Sequence, residues 1–181
     1  MGVKALMVKD TRLEVDLICI DDGSSNEGFE SPAPAPGQAA VIRRGDWVFL
    51  SSETWQRTAV SGGTEQQADQ ILSHFAKLAE KAGASLRRTV KAEIHIGHPS
   101  EYAGMEAAWK RWFPKNPPAR VVMPNMGLTG GKGRRIEIAL TLLADHSRKT
   151  IDIVHTDKAP QPQIGLDQRR GGLHGGAAVN R

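Results

Sequence analysis

The heptapeptide VKAEIHI, residues 90–96, alternates without a break. Val90, Ala92, Ile94 and Ile96 fall on one side of an extended chain, and Lys91, Glu93 and His95 on the other. Such a strand belongs to a sheet that is buried on one side and wetter on the other. Whatever covers the apolar side must come from elsewhere in the chain, and two segments qualify. TEQQADQILSHFAKLAEKAG (64–83) places Ile71, Leu72, Phe75, Leu78, Ala79 and Ala82 at helical steps. Thr64 with Gln67 reads as a capping box and Gly83 as a left-handed stop. SEYAGMEAAWKRWF (100–113) runs from a cap at Ser100 to the break at Pro114, with Tyr102, Met105, Trp109, Trp112 and Phe113 as its apolar stripe.

QAAVIR, DWVFLSS, ARVVM and RRIEIALTLL supply further strands, and IRRGD has the length and glycine of a hairpin. The order strand, strand, helix, strand, helix, strand, strand argues for an α+β sheet with both helices on one face. TRLEVDLICI (11–20) reads as another strand, with Cys19 as a small core residue. GSSNEGFESPAPAPG reads as loop or linker, and GGLHGGAAVNR as a flexible tail. RLEVDLICI echoes RIEIALTLL, and SPAPAPGQAAVIRRGD echoes DKAPQPQIGLDQRRGG at nearly the same spacing. An internal repeat or chance likeness between strands both account for this. The expected division is an N-terminal extension at 1–30, one complete domain at 31–146 and a loop-rich C-terminal extension at 147–181.

Composition narrows the function classes. A net charge of +4, with 24 Lys and Arg against 20 Asp and Glu, is mildly basic. With 4 Trp, 4 Phe and 1 Tyr and no basic–aromatic stripe, it argues against nucleic-acid binding. One cysteine excludes an internal disulfide and fits a reducing compartment. No apolar run has signal-peptide or membrane-spanning length, so a cytoplasmic protein without membrane contact is expected. The six histidines show no ligand spacing, so no metal is expected. GLTGGKGRR lacks a phosphate loop's ending and precedes a strand, so it reads as a mobile loop.

KNPPARVV (115–122) carries the sharpest question, because Arg120 stands where the chain enters an apolar strand. A guanidinium keeps its charge, so it must neutralise a group of the protein's own or await an anionic ligand. A salt bridge to a strand neighbour such as Glu137 is the structural reading.

The pieces APAPGQAAVIRRGDWVFLSS, the helix and strand at 64–96, EYAGMEAAWKRWF, PPARVVM and RRIEIALTLLA occur in one order. In that order the chain resembles the Rid family, also called YjgF/YER057c/UK114. The resemblance implies a chorismate-mutase-like α+β fold and a homotrimer with clefts between subunits. It also implies hydrolysis of small carboxylate-bearing imines or enamines with release of ammonia, without metal or cofactor. By the same resemblance Arg120 would bind the substrate carboxylate, beside Ser51, Ser52 and Trp55. Trp47 and Met123 are further candidates for the pocket lining.

The chain departs from the family where chemistry is concerned. The closing strand of active members has a second glutamate two residues after the first, and here Glu137 is followed by Ala139. The tyrosine common in the family's opening segment is missing, and Ser52 replaces a glycine. Candidate acids and bases are Glu106, otherwise a solvated helix residue, Glu53, and Glu137, about 7 Å from Ala139 along one strand face. Asp16 matches Ala139 in the N-terminal echo. Three function classes follow: a deaminase, a non-catalytic carboxylate-binding trimer that has lost the acid, and a structural role in an assembly.

Overall fold

A computed structural model describes residues 18–29, 41–51, 61–125, 128, 133–154 and 176–179. The elements are β1 (Glu27–Phe29), β2 (Val41–Arg44), β3 (Trp47–Ser51), α1 (Thr64–Lys81), β4 (Ala84–Ile96), a 3₁₀ turn (Pro99–Glu101), α2 (Tyr102–Trp112), β5 (Ala119–Pro124), β6 (Ile136–Ala144), β7 (Ile151–Val154) and β8 (Gly176–Val179). Six strands form one sheet in the order β1-β2-β3-β6-β4-β5. Its neighbours are antiparallel except β4 and β5, which run parallel. A parallel pair cannot be closed by a tight turn, and α2 makes the crossover. β7 and β8 pair separately.

Helices and sheet meet in one core. Ile71, Leu72, Phe75 and Leu78 of α1 and Met105, Ala108 and Trp109 of α2 pack on Val48, Leu50, Ala92, Ile94, Ile138 and Leu140. Every one of those strand residues shares the parity of the apolar set first seen in VKAEIHI, so both helices cover one sheet face. Gly104 lets α2 start close to α1, since a side chain there would meet the Glu65 nitrogen at 3.2 Å. Arg111, bonded to Glu65 at 2.6 Å and Asp69 at 2.5 Å, ties the two helices at the surface.

The expected hairpin forms, with Gly45 at φ +53°, and α1 stops at Gly83, φ +71°. The helix starts differ from expectation. Gly63 caps α1 without a side-chain bond, and Thr64 is already helical, its hydroxyl donating to Glu101. That bond, with Arg135 second, holds the Glu101 carboxyl below its usual range. Gln67 is buried, because its amide bonds Gly62 and Gly133 carbonyls and the Arg135 N–H, fastening the start of β6 to α1. Ser100 is no cap either: His98 accepts from the Ser100 N–H and a 3₁₀ turn precedes α2.

Other elements move. β4 starts six residues earlier than the alternation suggested, at Ala84, with irregular pairing to β6 before Lys91. β1 lies inside the stretch read as linker, and β8 inside the stretch read as tail, because backbone pairing recruits them without an apolar pattern. Residues 18–20 take no regular structure, and Cys19 is exposed instead of entering the core. Residues 11–17 and 157–172, compared above as repeat echoes, lie outside the described residues.

Candidate functional site

Arg120 sits on edge strand β5, paired in register with Ala92. Val122, on the same face, packs against the core, so Arg120 also points to the helix side. Its Nη2 donates to Glu106 Oε2 of α2 at 2.5 Å and to the Tyr102 hydroxyl at 3.4 Å. The guanidinium lies 5.5 Å from the centre of the Trp109 ring, a cation–π distance. Its side chain is 12 % exposed, and Nη1 is buried without a hydrogen-bond partner among the described residues. The counter-ion of Arg120 is therefore Glu106, not Glu137 as the structural reading had it. Glu106 is no freely solvated residue: Lys110 approaches it from one side and Arg120 from the other. Burial pushes the Tyr102 hydroxyl above its ordinary range, so at neutral pH it stays protonated and can donate.

The opposite sheet face carries a different set. Ser51 of β3, Ala139 of β6 and Glu93 of β4 stand in one row across three adjacent strands. Around that row a groove of about 250 Å³ is lined by Ile42, Phe49, Ser51, Lys91, Glu93 and Thr141, among others, with Ile18 at its margin. Lys91 Nζ lies 2.5 Å from the Glu93 carboxylate. Glu137 shares this face but is only 2 % exposed, opposite His95 and within electrostatic reach of Arg134.

The residues nominated from sequence thus divide. Arg120 and Glu106 meet on the helix side, while Ser51 and Glu137 belong to the other face, and the sheet separates the two groups. Ser52, Glu53, Trp55 and Asp16 lie outside the described residues. Trp47 stands opposite Leu143, four residues along β3 from Ser51, and Met123 is on edge strand β5; neither lines the groove. Tyr102, Trp109, Glu93 and Thr141 escaped nomination. For Tyr102, one helical turn before Glu106, the signal was the spacing. For Glu93 it was its place on the wet side of VKAEIHI. Among the described residues no three His, Cys, Asp or Glu side chains gather as metal ligands. No helix among them is long and apolar enough to cross a membrane.

A mixed sheet with two helices on one face, and an arginine at the start of its parallel edge strand, defines a class of small α+β proteins. Residues 30–143 match the family model described as endoribonuclease L-PSP, and the chain belongs to that family, which is the YjgF/YER057c/UK114 or Rid family. A RutC family protein of Pyrococcus abyssi is 25 % identical over 52 % of this chain and 77 % of its own. A human protein named 2-iminobutanoate/2-iminopropanoate deaminase is 28 % identical over 60 % of this chain and 83 % of its own. Yeast Mmf1 superposes with a TM-score of 0.59 at 15 % identity, covering 66 % of this chain and 99 % of that one. A YjgF/YER057c/UK114 family member of Mycobacterium tuberculosis gives 0.59 at 21 %, covering 66 % and 100 %.

Proposed function

We propose that the protein is a Rid-type deaminase, hydrolysing a small carboxylate-bearing imine or enamine to a ketoacid and ammonia in the cytoplasm, without metal or cofactor. The observation that carries this reading is Arg120, a shielded guanidinium whose buried Nη1 no group among the described residues satisfies. A carboxylate offers two oxygens at the spacing of a guanidinium's parallel N–H groups, and binding one here would fix the substrate's orientation. Tyr102 supplies a hydroxyl beside it, and Trp109 a flat apolar wall. The human relative named as an imine deaminase supports the reaction class.

The active form is a homotrimer with clefts between subunits. Arg120 and the groove around Ser51 lie on opposite faces of one sheet, so a single ligand reaches both only where two copies meet. Edge strand β5 leaves Val121 41 % and Met123 38 % exposed, apolar area suited to such a contact. Residues 31–146 form the catalytic domain, with the segments at 1–30 and 147–181 as extensions.

The test is ammonia and ketoacid release from enzymatically generated 2-aminoacrylate. Turnover by the wild type and a loss of about a hundredfold or more in kcat/KM for Arg120→Ala are expected. Equal rates would remove Arg120 from the site. A second reading, a carboxylate-binding trimer without catalysis, is favoured by the Arg120–Glu106 pair and by Ala139. It requires no turnover in any form, together with ketoacid-induced thermal stabilisation that Arg120→Ala abolishes.

A further inference from the structure

Hydrolysis of an imine requires one group to take a proton from water and return one to the departing nitrogen. Three carboxylates stand near the two halves of the site described above. Glu106 is held against Arg120, and Glu137 is buried at the foot of β6. Glu93 differs from both. Its carboxylate, 36 % exposed, lines the groove, and its neighbour in the same row is Ala139, whose methyl leaves the floor open. Beyond Ala139 in that row stands the Ser51 hydroxyl. Two strand spacings separate Ser51 from Glu93, about 10 Å, which accommodates a small imine and a water between them.

We propose that Glu93 is the proton-transferring catalytic residue, acting across Ala139 on a substrate whose carboxylate is held by Arg120 of another copy. The inference rests on the deaminase reading and specifies its acid–base group. Glu93 as carboxylate takes a proton from water while the water oxygen bonds to the imine carbon and the C=N π pair moves onto nitrogen. The protonated Glu93 then gives that proton to the amine nitrogen. The C–N bond then breaks with its pair leaving on nitrogen while the carbon hydroxyl becomes C=O, and the hydroxyl proton passes through the Glu93 carboxylate to that nitrogen, which departs as ammonia. Imine and water become ketoacid and ammonia, and Glu93 ends as it began. The ammonium of Lys91, on the same face two residues away, holds the carboxylate over the groove.

The experiment compares wild type, Glu93→Gln and the double variant Glu93→Gln with Ala139→Glu on 2-aminoacrylate, over a pH series. Glu93→Gln should lower kcat by about 10²- to 10⁴-fold with little change in KM, and the acidic limb of the pH–rate profile should vanish. A glutamate at 139 returns a carboxylate to the next position of the row and should restore part of the rate and the limb. A wild-type rate in Glu93→Gln, or an acidic limb that survives in its residual rate, overturns the assignment and leaves the deaminase reading standing. A silent wild type overturns both. The thermal transition of each variant separates these outcomes from misfolding.

Discussion

Strand β6 meets two different surroundings along its length. Ile136, Ile138, Leu140 and Leu142 face a layer closed by α1 and α2, and none is more than 2 % exposed. One residue out of step, Ala139 and Thr141 face the groove, with Phe49, Glu93 and Lys91 beside them. The first face is closed along its whole length, whereas the second is open only at Ala139 and Thr141, between the buried Glu137 and Leu143. The closed layer and the lining of the groove are therefore supplied by alternate residues of one strand. A substitution can strike one with small effect on the other, since successive side chains point to opposite sides.

The largest expected difference concerns two phenylalanines. Phe75 is wholly enclosed between α1 and the sheet, so Phe75→Ala should cost about 3–5 kcal/mol in denaturant unfolding. Phe49→Ala, on the groove side, should cost below about 1.5 kcal/mol, because its ring is partly solvated and leaves no sealed cavity. Equal losses would mean that the open face is as well packed as the closed one.

A second test asks whether the two faces join between copies. Arg120→Ala and Glu93→Gln, each inactive alone, are co-expressed with different tags and purified as mixed oligomers. In a random mixture about a quarter of the inter-subunit clefts receive an intact Arg120 from one copy and an intact Glu93 from the next. Recovery of about a quarter of wild-type turnover is expected. No recovery would mean that Arg120 and Glu93 do not serve one cleft between copies.

The smallest effect concerns the pair that Arg120 already makes. Glu106→Gln removes the counter-ion of a shielded guanidinium and should lower stability by about 1–3 kcal/mol. Because Glu106 competes with any ligand for Nη2, the same variant should bind ketoacids more tightly in calorimetry. Unchanged stability and affinity together would mean that the pair is solvated and idle.

Parts of this arrangement were legible in the chain. The stripe from Ile71 to Ala82 and the alternation of VKAEIHI each follow a local period, and local periods need no partner to be read. Arg120 was legible because a charge entering an apolar strand demands an explanation. Gln67 misled, since its spacing from Thr64 fits a capping box while its amide is used by Gly62, Gly133 and Arg135, the last two more than sixty residues on. β1 escaped for a related reason: three residues pairing with β2 carry no periodic signal of their own.

By itself the sequence determined the two amphipathic helices, the hairpin, the half-buried strand and hence an α+β sheet, because those properties are set by the order of side chains along the chain. Only the tertiary structure decided that β6 lies between β3 and β4. That insertion sets Ala139 between Ser51 and Glu93, and the crossover through α2 sets Glu106 against Arg120. Strand order and register join residues dozens of positions apart through backbone hydrogen bonds. Backbone groups are nearly identical at every position, so they leave almost no mark on the sequence that uses them.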